Sequence, residues 1–391
     1  MTKTYDLRYL DEVERYIPLT GLINSPFQVE EIGNGNMNYV YRIKECNCRK
    51  TFILKFAAKH TRISKDIPVS NERIEIEAKV LQQFRNLVSD FVPRIYLYDD
   101  LNKCIIMEEC NGYTVMRNAL NQYQIVNNFS DSITTYLVKS IVPSLISEKQ
   151  QDIDVSFTNP LCEVTKMFVF TEPFDPNSST NAIYEPNKDF VQSEILSDIM
   201  LLKHVDLLKE NFTKKKQALL HGDLHTGSIF VKHSSVIVFD YEFAFYGPIG
   251  FDIGNLIANL IFAWIHARVE HVFENMGFIN WIENTISEII DKFREKFKNE
   301  LNRLTDTERK DVNINIDEVI NDTASFAGVE LLRRIIGIAH VSDITLIESE
   351  KHRIQAERVA MKLAKNYILR CNTFNTGNDF LDALKTNYEN V

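Results

Sequence analysis

The chain has 391 residues, of which 44 are basic and 54 acidic, so its net charge is −10. Its length indicates two lobes or domains rather than one core, and its 45% of hydrophobic residues are enough to build them. The acidic balance argues against a general nucleic-acid binder, because such proteins usually carry a basic surplus.

The first part of the chain predicts one helix followed by an antiparallel sheet. Residues 5–23 place apolar side chains on one helical face. Three strand-like runs follow, separated by turn residues: FQVEEIG, NYVYRIK and TFILKFA. Residues 70–88 then predict a helix with Asn71 as its N-cap. Two further runs, RIYLYDD and KCIIMEE, complete the predicted sheet.

After Gly112 the pattern becomes mainly helical. We expect an α+β chain of two lobes, a small antiparallel-sheet lobe over residues 1–110 and a larger helical lobe over residues 111–391. The most apolar stretch, IGNLIANLIFAWIHA, is shorter than the roughly 18–20 residues that a membrane span needs, so it predicts a buried helix. Six scattered cysteines without metal-site spacing favour reduced thiols in a cytoplasmic protein.

A glycine-rich turn, GNGNMNYV, lies between the first two strands. Gly33 and Gly35 allow the backbone to approach phosphate oxygens closely. Asn38 stands where the protein-kinase phosphate loop has a third glycine, and asparagine tolerates positive φ. The pattern predicts a phosphate-binding loop, although a plain hairpin turn would also explain Asn-Gly.

A lysine on the third strand supports the same interpretation. Lys55 has apolar neighbours on both sides, and a buried lysine without a counter-charge is costly. The following helix offers Glu75 and Glu77, of which we prefer Glu77. In kinases such a pair holds the α- and β-phosphates of ATP.

The stretch LLHGDLHTGSIFV places His221-Gly222-Asp223 between two apolar runs, as the kinase catalytic loop does. Asp223 there can accept the proton of an attacking hydroxyl or orient it. Protein kinases carry a metal-binding asparagine five residues after this aspartate, where this chain has Ser228. A serine hydroxyl is a weaker ligand for the same metal.

Two acids follow in VIVFDYEFAFYGP. Asp240 and Glu242 would share one face of an extended segment, and carboxylates together with substrate phosphates suit Mg²⁺. Little chain separates Asp240 from the apolar helix, so there is no room for a long activation loop that binds a peptide. The acceptor is therefore expected to be a small molecule, on a bilobal protein-kinase-like fold.

Two segments resemble the S-methyl-5-thioribose kinases, a family of the aminoglycoside phosphotransferase and choline kinase-like superfamily. They are HGDLHTGSI and, after it, DYEFAFYGPIGFDIGNLIANL. Four further segments resemble that family and occur in the same order along the chain: GNGNMNYVYRI, ILKFA, RIEIEA and LLRRIIGIAHVSDI. The family shares the serine at 228 and the Asp-x-Glu motif. The resemblance covers roughly residues 25–350.

The resemblance implies transfer of the ATP γ-phosphate to the 1-hydroxyl of methylthioribose in methionine salvage. It implies Asp223 as the catalytic base and Asp240 with Glu242 as residues that bind Mg²⁺ and phosphates. It also implies that Arg333 and Arg334 line the sugar pocket and that the protein is a homodimer.

The paired arginines are also unusual in themselves. Adjacent helix positions point about 100° apart, so at least one guanidinium of Arg333 and Arg334 should face inward or into a cleft. Either an internal salt bridge or binding of phosphoryl charge would explain this.

The strand IIMEEC resembles the kinase segment that binds adenine. Met107 would lie behind the adenine, and Glu108 and Cys110 would offer backbone groups. The alternative for Met107 is an ordinary core position.

Two other functions stay open. One is a kinase of the same fold that acts on another sugar, an aminoglycoside, choline or ethanolamine; the paired arginines argue against a cationic acceptor. The other is a non-catalytic ATP-binding protein, which is disfavoured because every expected catalytic position is filled.

Overall fold

A computed structural model describes most of the chain. The described residues are 3–23, 25–32, 37–47, 50–60, 69–145, 159–270, 274–304 and 314–390. The chain divides into two compact units. The first comprises Met1–Tyr113, Asn159–Leu161 and Ile237–Ala244. The second comprises Thr114–Thr158, Cys162–Val236 and Phe245–Val391.

The first unit contains a five-stranded antiparallel sheet of order β1-β2-β3-β5-β4. Its strands are β1 (Phe27–Glu31), β2 (Tyr39–Glu45), β3 (Thr51–Phe56), β4 (Ile95–Asp99) and β5 (Cys104–Glu108). The predicted sheet is therefore confirmed. Lys55 pairs in register with Val40 of β2 and Ile105 of β5, so it lies on a central strand. A core of apolar side chains from the sheet and the N-terminal helix supports it.

Two helices of this unit differ in detail from the predictions. Helix α1 spans only Leu10–Tyr16, and a 3-10 turn over Ile17–Thr20 follows it. The predicted helix over residues 5–23 is too long, because Pro18 lacks a backbone N–H and Gly21 has a φ of 69°.

Helix α2 spans Arg73–Leu87, and its N-cap is Glu72 rather than Asn71. The predicted cap is wrong because Ser70 provides the local hydrogen bond: its hydroxyl accepts from the Glu72 N–H at 3.2 Å. The helix therefore begins later than the pattern of apolar residues indicates.

The remainder of the chain is mainly helical, which confirms the α+β class. Its helices are α3 (Met116–Asn121), α4 (Phe129–Ile141), α5 (Leu161–Phe170), α6 (Lys188–Val191), α7 (Ile199–Lys214), α8 (Gly250–Glu270), α9 (Met276–Leu301), α10 (Ile316–Ile336), α11 (Ser342–Thr345), α12 (Glu350–Leu369) and α13 (Gly377–Glu389). Its short strands are β6 (Thr114–Val115), β7 (Ala218–Leu220), β8 (Ile229–Lys232), β9 (Ser235–Val238) and β10 (Phe245–Gly247). β6 pairs with β8, and β7 pairs with β10, both antiparallel.

Helices α8 and α10 pack closely in the second unit. A Cβ added at Gly254 of α8 would lie 2.7 Å from the backbone N of Ala327 on α10, so only glycine permits this approach. Helix α8 is buried along most of its length, as its apolar sequence predicts. Among the described residues, no helix is long and apolar enough to cross a membrane.

Candidate active site

The side chains of β3 and α2 form a buried ion pair in the first unit. Lys55 Nζ lies 2.6 Å from Glu77 Oε2, and the two side chains are 9% and 1% exposed. Glu75, the alternative partner, instead lies 2.7 Å from Lys79 on the same helix. The predicted pairing of Lys55 with Glu77 is therefore confirmed.

Asp240 is a second partner of this lysine, since its Oδ1 contacts Lys55 Nζ. Burial by itself disfavours the charged ammonium, but Asp240 and Glu77 outweigh burial and raise the pKa of Lys55 above its usual value. Burial raises the pKa of Glu77 to about 7, against the opposing effect of Lys55. The lysine thus stays positively charged, as phosphate binding requires.

The backbone of Asp240 is left-handed, with φ 74° and ψ 56°. Residues other than glycine rarely adopt this conformation, and it costs about 1–3 kcal/mol. The extended strand ends at Val238, and a 3-10 turn over Tyr241–Phe243 follows. Asp240 and Glu242 therefore do not share one face of an extended segment, and that prediction is wrong. The turn leaves the Asp240 side chain 42% exposed, whereas the Glu242 side chain is buried and only 2% exposed.

Glu242 is held by two partners that lie far from it in the chain. Its Oε2 accepts from Asn38 Nδ2 at 2.8 Å and lies 3.0 Å from Arg73 Nε. Burial raises the pKa of Glu242, while Lys55 and Arg73 act in the opposite direction. Gly33 and Gly35 lie outside the described residues. Of the three predicted phosphate-loop residues, Asn38 is the one that the structure describes.

Sequence reasoning missed Arg73. It is only 1% exposed in the first turn of α2. A signal was present, because an arginine four residues before Glu77 on an apolar helix face needs a buried acceptor. Nothing in the sequence alone identified Glu242 as that acceptor. Asn159 was also missed; its Nδ2 donates to the Glu242 carbonyl at 2.7 Å and supports the turn.

The predicted adenine-binding residues lie at the end of β5. Met107 is buried and pairs in register with Ile53. The Glu108 N–H donates to the Arg94 carbonyl at 2.8 Å within the sheet. Burial raises the pKa of the Cys110 thiol to about 12, so this cysteine is not a reactive thiolate. Their contacts with adenine stay predictions.

In the second unit, Asp223 follows β7 and lies beside two arginines and a histidine. Its Oδ2 is 3.3 Å from His225 Nε2, and its Oδ1 is 3.6 Å from Arg333 Nη2 and 3.9 Å from Arg334 Nη2. Burial alone would raise the pKa of Asp223, but His225 and the two arginines lower it well below its usual value. The Asp223 carboxylate is therefore ionised at neutral pH.

Asp252 of α8 fixes the backbone that presents Asp223. Its two carboxylate oxygens accept from the N–H groups of His221 at 2.7 Å and Gly222 at 2.9 Å. Gly222 has a φ of 83°, which glycine adopts without a steric penalty. Burial raises the pKa of Asp252 to about 6, although the two backbone donors favour the charged form.

Ser228 closes the same loop. Its hydroxyl donates to the Asp223 carbonyl at 2.8 Å and accepts from the His225 N–H at 3.1 Å. The side chain is buried and caps the turn Thr226–Ser228. The loop geometry thus gives Ser228 a structural task, and its predicted part as a metal ligand stays a prediction.

Both paired arginines face inward, which confirms and exceeds the expectation for one. Arg333 and Arg334 are 9% and 8% exposed. Both Nε atoms bind the carboxylate of Glu330, that of Arg334 at 2.8 Å. Glu330 lies three and four residues before them, and these are the spacings at which helix side chains meet. An internal salt bridge and a cationic environment for Asp223 therefore exist together.

Another cation, Arg117 of α3, belongs to the same group of charges. It contacts Asn259, donates to Thr226 Oγ1 at 3.3 Å, and lies 3.7 Å from Asp343 Oδ2. Asp343 is 1% exposed, and both of its carboxylate oxygens lack a hydrogen-bond partner within the described parts of the chain. Sequence reasoning identified neither residue, because their partners lie on separate helices.

The described residues contain no cluster of three or more His, Cys, Asp or Glu side chains that could hold a metal. A Mg²⁺ ion usually takes only one or two protein carboxylates, together with substrate phosphates. The Asp240 carboxylate, which is 42% exposed, and that of Glu242 two residues later are of the type that such an ion takes.

The chain is similar in sequence to known phosphotransferases. The model of a family described as "Phosphotransferase enzyme family" matches residues 184–281. The methylthioribose kinase of Bacillus cereus (strain G9842) is 36% identical over 344 residues, 86% of each chain. That of Bacillus anthracis (strain A0248) is 35% identical over the same share of both chains. The structure of Plasmodium vivax ethanolamine kinase is 14% identical, with a TM-score of 0.48 over 96% of this chain and 91% of the other.

Proposed function

Because the chain belongs to the methylthioribose kinase family, we infer that it transfers the γ-phosphate of ATP to the 1-hydroxyl of methylthioribose in methionine salvage. It is a kinase with a hydroxyl acceptor, and phosphorylation of methylthioribose is the activity that its relatives support. The structural observation that best supports this reaction is the ionised Asp223 carboxylate beside Arg333 and Arg334.

Asp223 is proposed as the base that receives the acceptor proton. Its lowered pKa makes it a weak base before transfer, so it first orients the hydroxyl by accepting its hydrogen bond. Phosphoryl transfer passes through a loose transition state in which positioning matters more than early proton removal. Arg333 and Arg334 would hold the sugar and offset phosphoryl charge.

The nucleotide would use the first unit. Lys55, held by Glu77, is suited to the α- and β-phosphates. Asp240 and Glu242 would bind Mg²⁺, and that ion, when bound, neutralises phosphate charge. The same proposal places the phosphate loop at Gly33, Gly35 and Asn38, adenine at Met107, Glu108 and Cys110, and Ser228 near the metal.

The test is ADP release by the purified protein with Mg²⁺ and ATP. The acceptors are methylthioribose, ribose, choline, ethanolamine, homoserine and an aminoglycoside. Turnover should be strong on methylthioribose alone, and phosphorus NMR of the product should show an anomeric phosphate. Activity on another acceptor would overturn the substrate and keep the kinase; ATP binding without transfer to any acceptor would overturn both.

A homodimer and a cytoplasmic location are part of the same proposal. They rest on the family resemblance and on the composition of the chain, and each has its own test. Cell fractionation with an antibody against the protein checks the location, and measurement of mass in solution checks the dimer.

A further inference from the structure

A buried arginine connects separate segments of the first unit. The Arg73 Nε donates to Asn38 Oδ1 at 3.0 Å. Its Nη1 donates to the carbonyls of Ala58 and Ser70, both at 2.8 Å, and its Nη2 donates to the Met37 carbonyl at 3.0 Å. A lysine could not copy this pattern, because its ammonium has three donors at one point, whereas the guanidinium has five in a fixed plane.

The same arginine and Asn38 both reach one oxygen of Glu242. Oε2 is 2.8 Å from Asn38 Nδ2 and 3.0 Å from Arg73 Nε. Since Arg73 also bonds Asn38, the three side chains form a closed triangle. Two contacts hold Oε2 in place, and because the rest of the Glu242 side chain is buried, they also restrict the direction of Oε1.

We propose that Arg73 is a positioning residue that, with Asn38, orients Glu242 toward the Mg²⁺–nucleotide complex. The inference rests on the proposed use of ATP by the first unit and is independent of the acceptor. It accounts for two departures from the protein-kinase pattern as one feature. Asn38 replaces the third glycine of the loop, and Glu242 replaces the glycine of Asp-Phe-Gly, because each is the partner of the other.

The distribution of charge supports this division of tasks. Lys55 is already paired with Glu77 and Asp240. Glu242, which is 2% exposed, would be a costly buried charge without a cation of its own. Lys55 also acts on Glu242 through its charge, and Arg73, on α2, is the cation in direct contact with the Glu242 carboxylate. Its carbonyl acceptors at Ala58 and Ser70 anchor it, so its guanidinium can hold Glu242 in one orientation.

The rival explanation is that Arg73 only joins α2 to the end of β3. Binding of ADP by the whole protein, measured calorimetrically over a Mg²⁺ titration and again with EDTA, separates the two. For Arg73→Lys we expect the Mg²⁺ concentration for half-maximal binding to rise about 10- to 100-fold, as for other residues that orient metal ligands. Binding of ADP in EDTA should stay within about threefold of the unchanged protein. Circular dichroism checks the fold.

Two further variants sharpen the test. Asn38→Ala should shift the Mg²⁺ requirement in the same direction, and it decides the question if Arg73→Lys does not fold. In a Glu242→Gln background, Arg73→Lys should add less than about a twofold shift, because the orientation it controls is no longer used. Arg85→Lys is the matched control, since it makes the same change at the other end of α2 and should leave the titration unchanged.

An unchanged Mg²⁺ requirement in both Arg73→Lys and Asn38→Ala would overturn the inference. So would a parallel loss of ADP binding with and without Mg²⁺, since a purely structural residue gives that result. Additive shifts of Arg73→Lys and Glu242→Gln would also contradict it. If the unchanged protein binds no ADP at any Mg²⁺ concentration, the proposed function itself fails, and this result is distinct from the other three.

Discussion

Asp223 has one carboxylate oxygen near two arginines and the other near His225. Replacement by Asn keeps the shape and removes both the charge and the ability to take a proton. We expect kcat of Asp223→Asn to fall by about 10²- to 10⁴-fold. The affinity for ADP should be unchanged. A coupled ADP-release assay and calorimetry check this, and near-normal turnover would contradict the assignment of the base.

The lowered pKa of Asp223 also gives a prediction about pH. A carboxylate whose pKa is lowered by folding stabilises the protein above its unfolded pKa, and this contribution is lost as the pH falls through the folded value. Above about pH 5 the carboxylate is ionised in both states. The pKa of Asp252, about 6, is raised in part by Asp223, so its titration also differs between the two proteins. The difference in unfolding free energy between wild type and Asp223→Asn should therefore be constant above that range, from about pH 7.5 to about pH 9. Urea titrations at several pH values measure it, and a slope would contradict the low pKa.

Asp240 and Glu242 differ in exposure, 42% against 2%, and we expect them to differ in effect. Asp240→Ala should weaken Mg²⁺-dependent nucleotide binding more severely than Glu242→Ala, because the Asp240 carboxylate, although in contact with Lys55, is the more exposed of the two. A Mg²⁺ titration of ADP affinity compares the two. Equal affinity for the unchanged protein and Asp240→Ala at every Mg²⁺ concentration would contradict this order.

Among single residues, the sequence predicted those whose function is indicated by the residues next to them in the chain. Lys55 is marked by apolar residues on both sides, and Asp223 by the loop around it. Arg73 and Asp343 are harder to recognise, because their partners come from distant segments. A buried charge can be identified from sequence only when the burial and the partner are both local.

At the scale of elements, the contact between α8 and α10 is the clearest target. A Cβ at Gly254 would lie 2.7 Å from Ala327 N and 2.8 Å from the Thr323 carbonyl. These are backbone atoms, so a helix must move. We expect Gly254→Ala to lower the unfolding free energy by about 1–3 kcal/mol. It should also lower kcat/KM for the sugar, since α10 carries Arg333 and Arg334.

Gly277 of α9 provides the matched control for that change. A Cβ there would meet nothing within 4 Å among the described residues. Gly277→Ala should therefore be neutral or stabilise the helix by up to about 1 kcal/mol. Chemical denaturation compares the two variants, and equal stabilities would show that the α8–α10 contact adjusts without cost.

The ends of elements were harder to predict than their existence. All five strands of the sheet follow from strand-like runs between turn residues, and α8 follows from its composition. The end of α1 depends on Pro18 and Gly21, which the apolar pattern of residues 5–23 conceals. The start of α2 depends on which side-chain oxygen accepts from the Glu72 N–H, and both Ser70 and Asn71 fit a cap in sequence.

At the scale of the whole molecule, the predicted homodimer has a direct test. The chain mass is 45.4 kDa. Light scattering after size-exclusion chromatography should give twice this mass at micromolar concentration. On dilution, the measured mass should fall only gradually toward 45.4 kDa. A single species of 45.4 kDa at all concentrations would contradict the dimer.

Packing also groups segments that a linear division of the chain separates. Ile237–Ala244, which carries Asp240 and Glu242, packs with the sheet of Met1–Tyr113. Hydrophobic periodicity finds strands and helices but does not say which distant segment joins them. The α+β class could therefore be predicted from sequence, whereas this grouping could not.

That grouping limits how evolution or an engineer could exchange parts of this protein. The cations Lys55 and Arg73 are encoded early, and the acids Asp240 and Glu242 that neutralise them are encoded much later. A gene fragment that ends near residue 113 would keep the Lys55–Glu77 pair but leave Arg73 buried without Glu242, and loss of a buried ion-pair partner destabilises a fold by several kcal/mol. The first unit is therefore not built from one contiguous stretch of the chain. Recombination that exchanges this unit must therefore also exchange the short segment 237–244. Otherwise Arg73 depends on whatever residue the other parent has in place of Glu242.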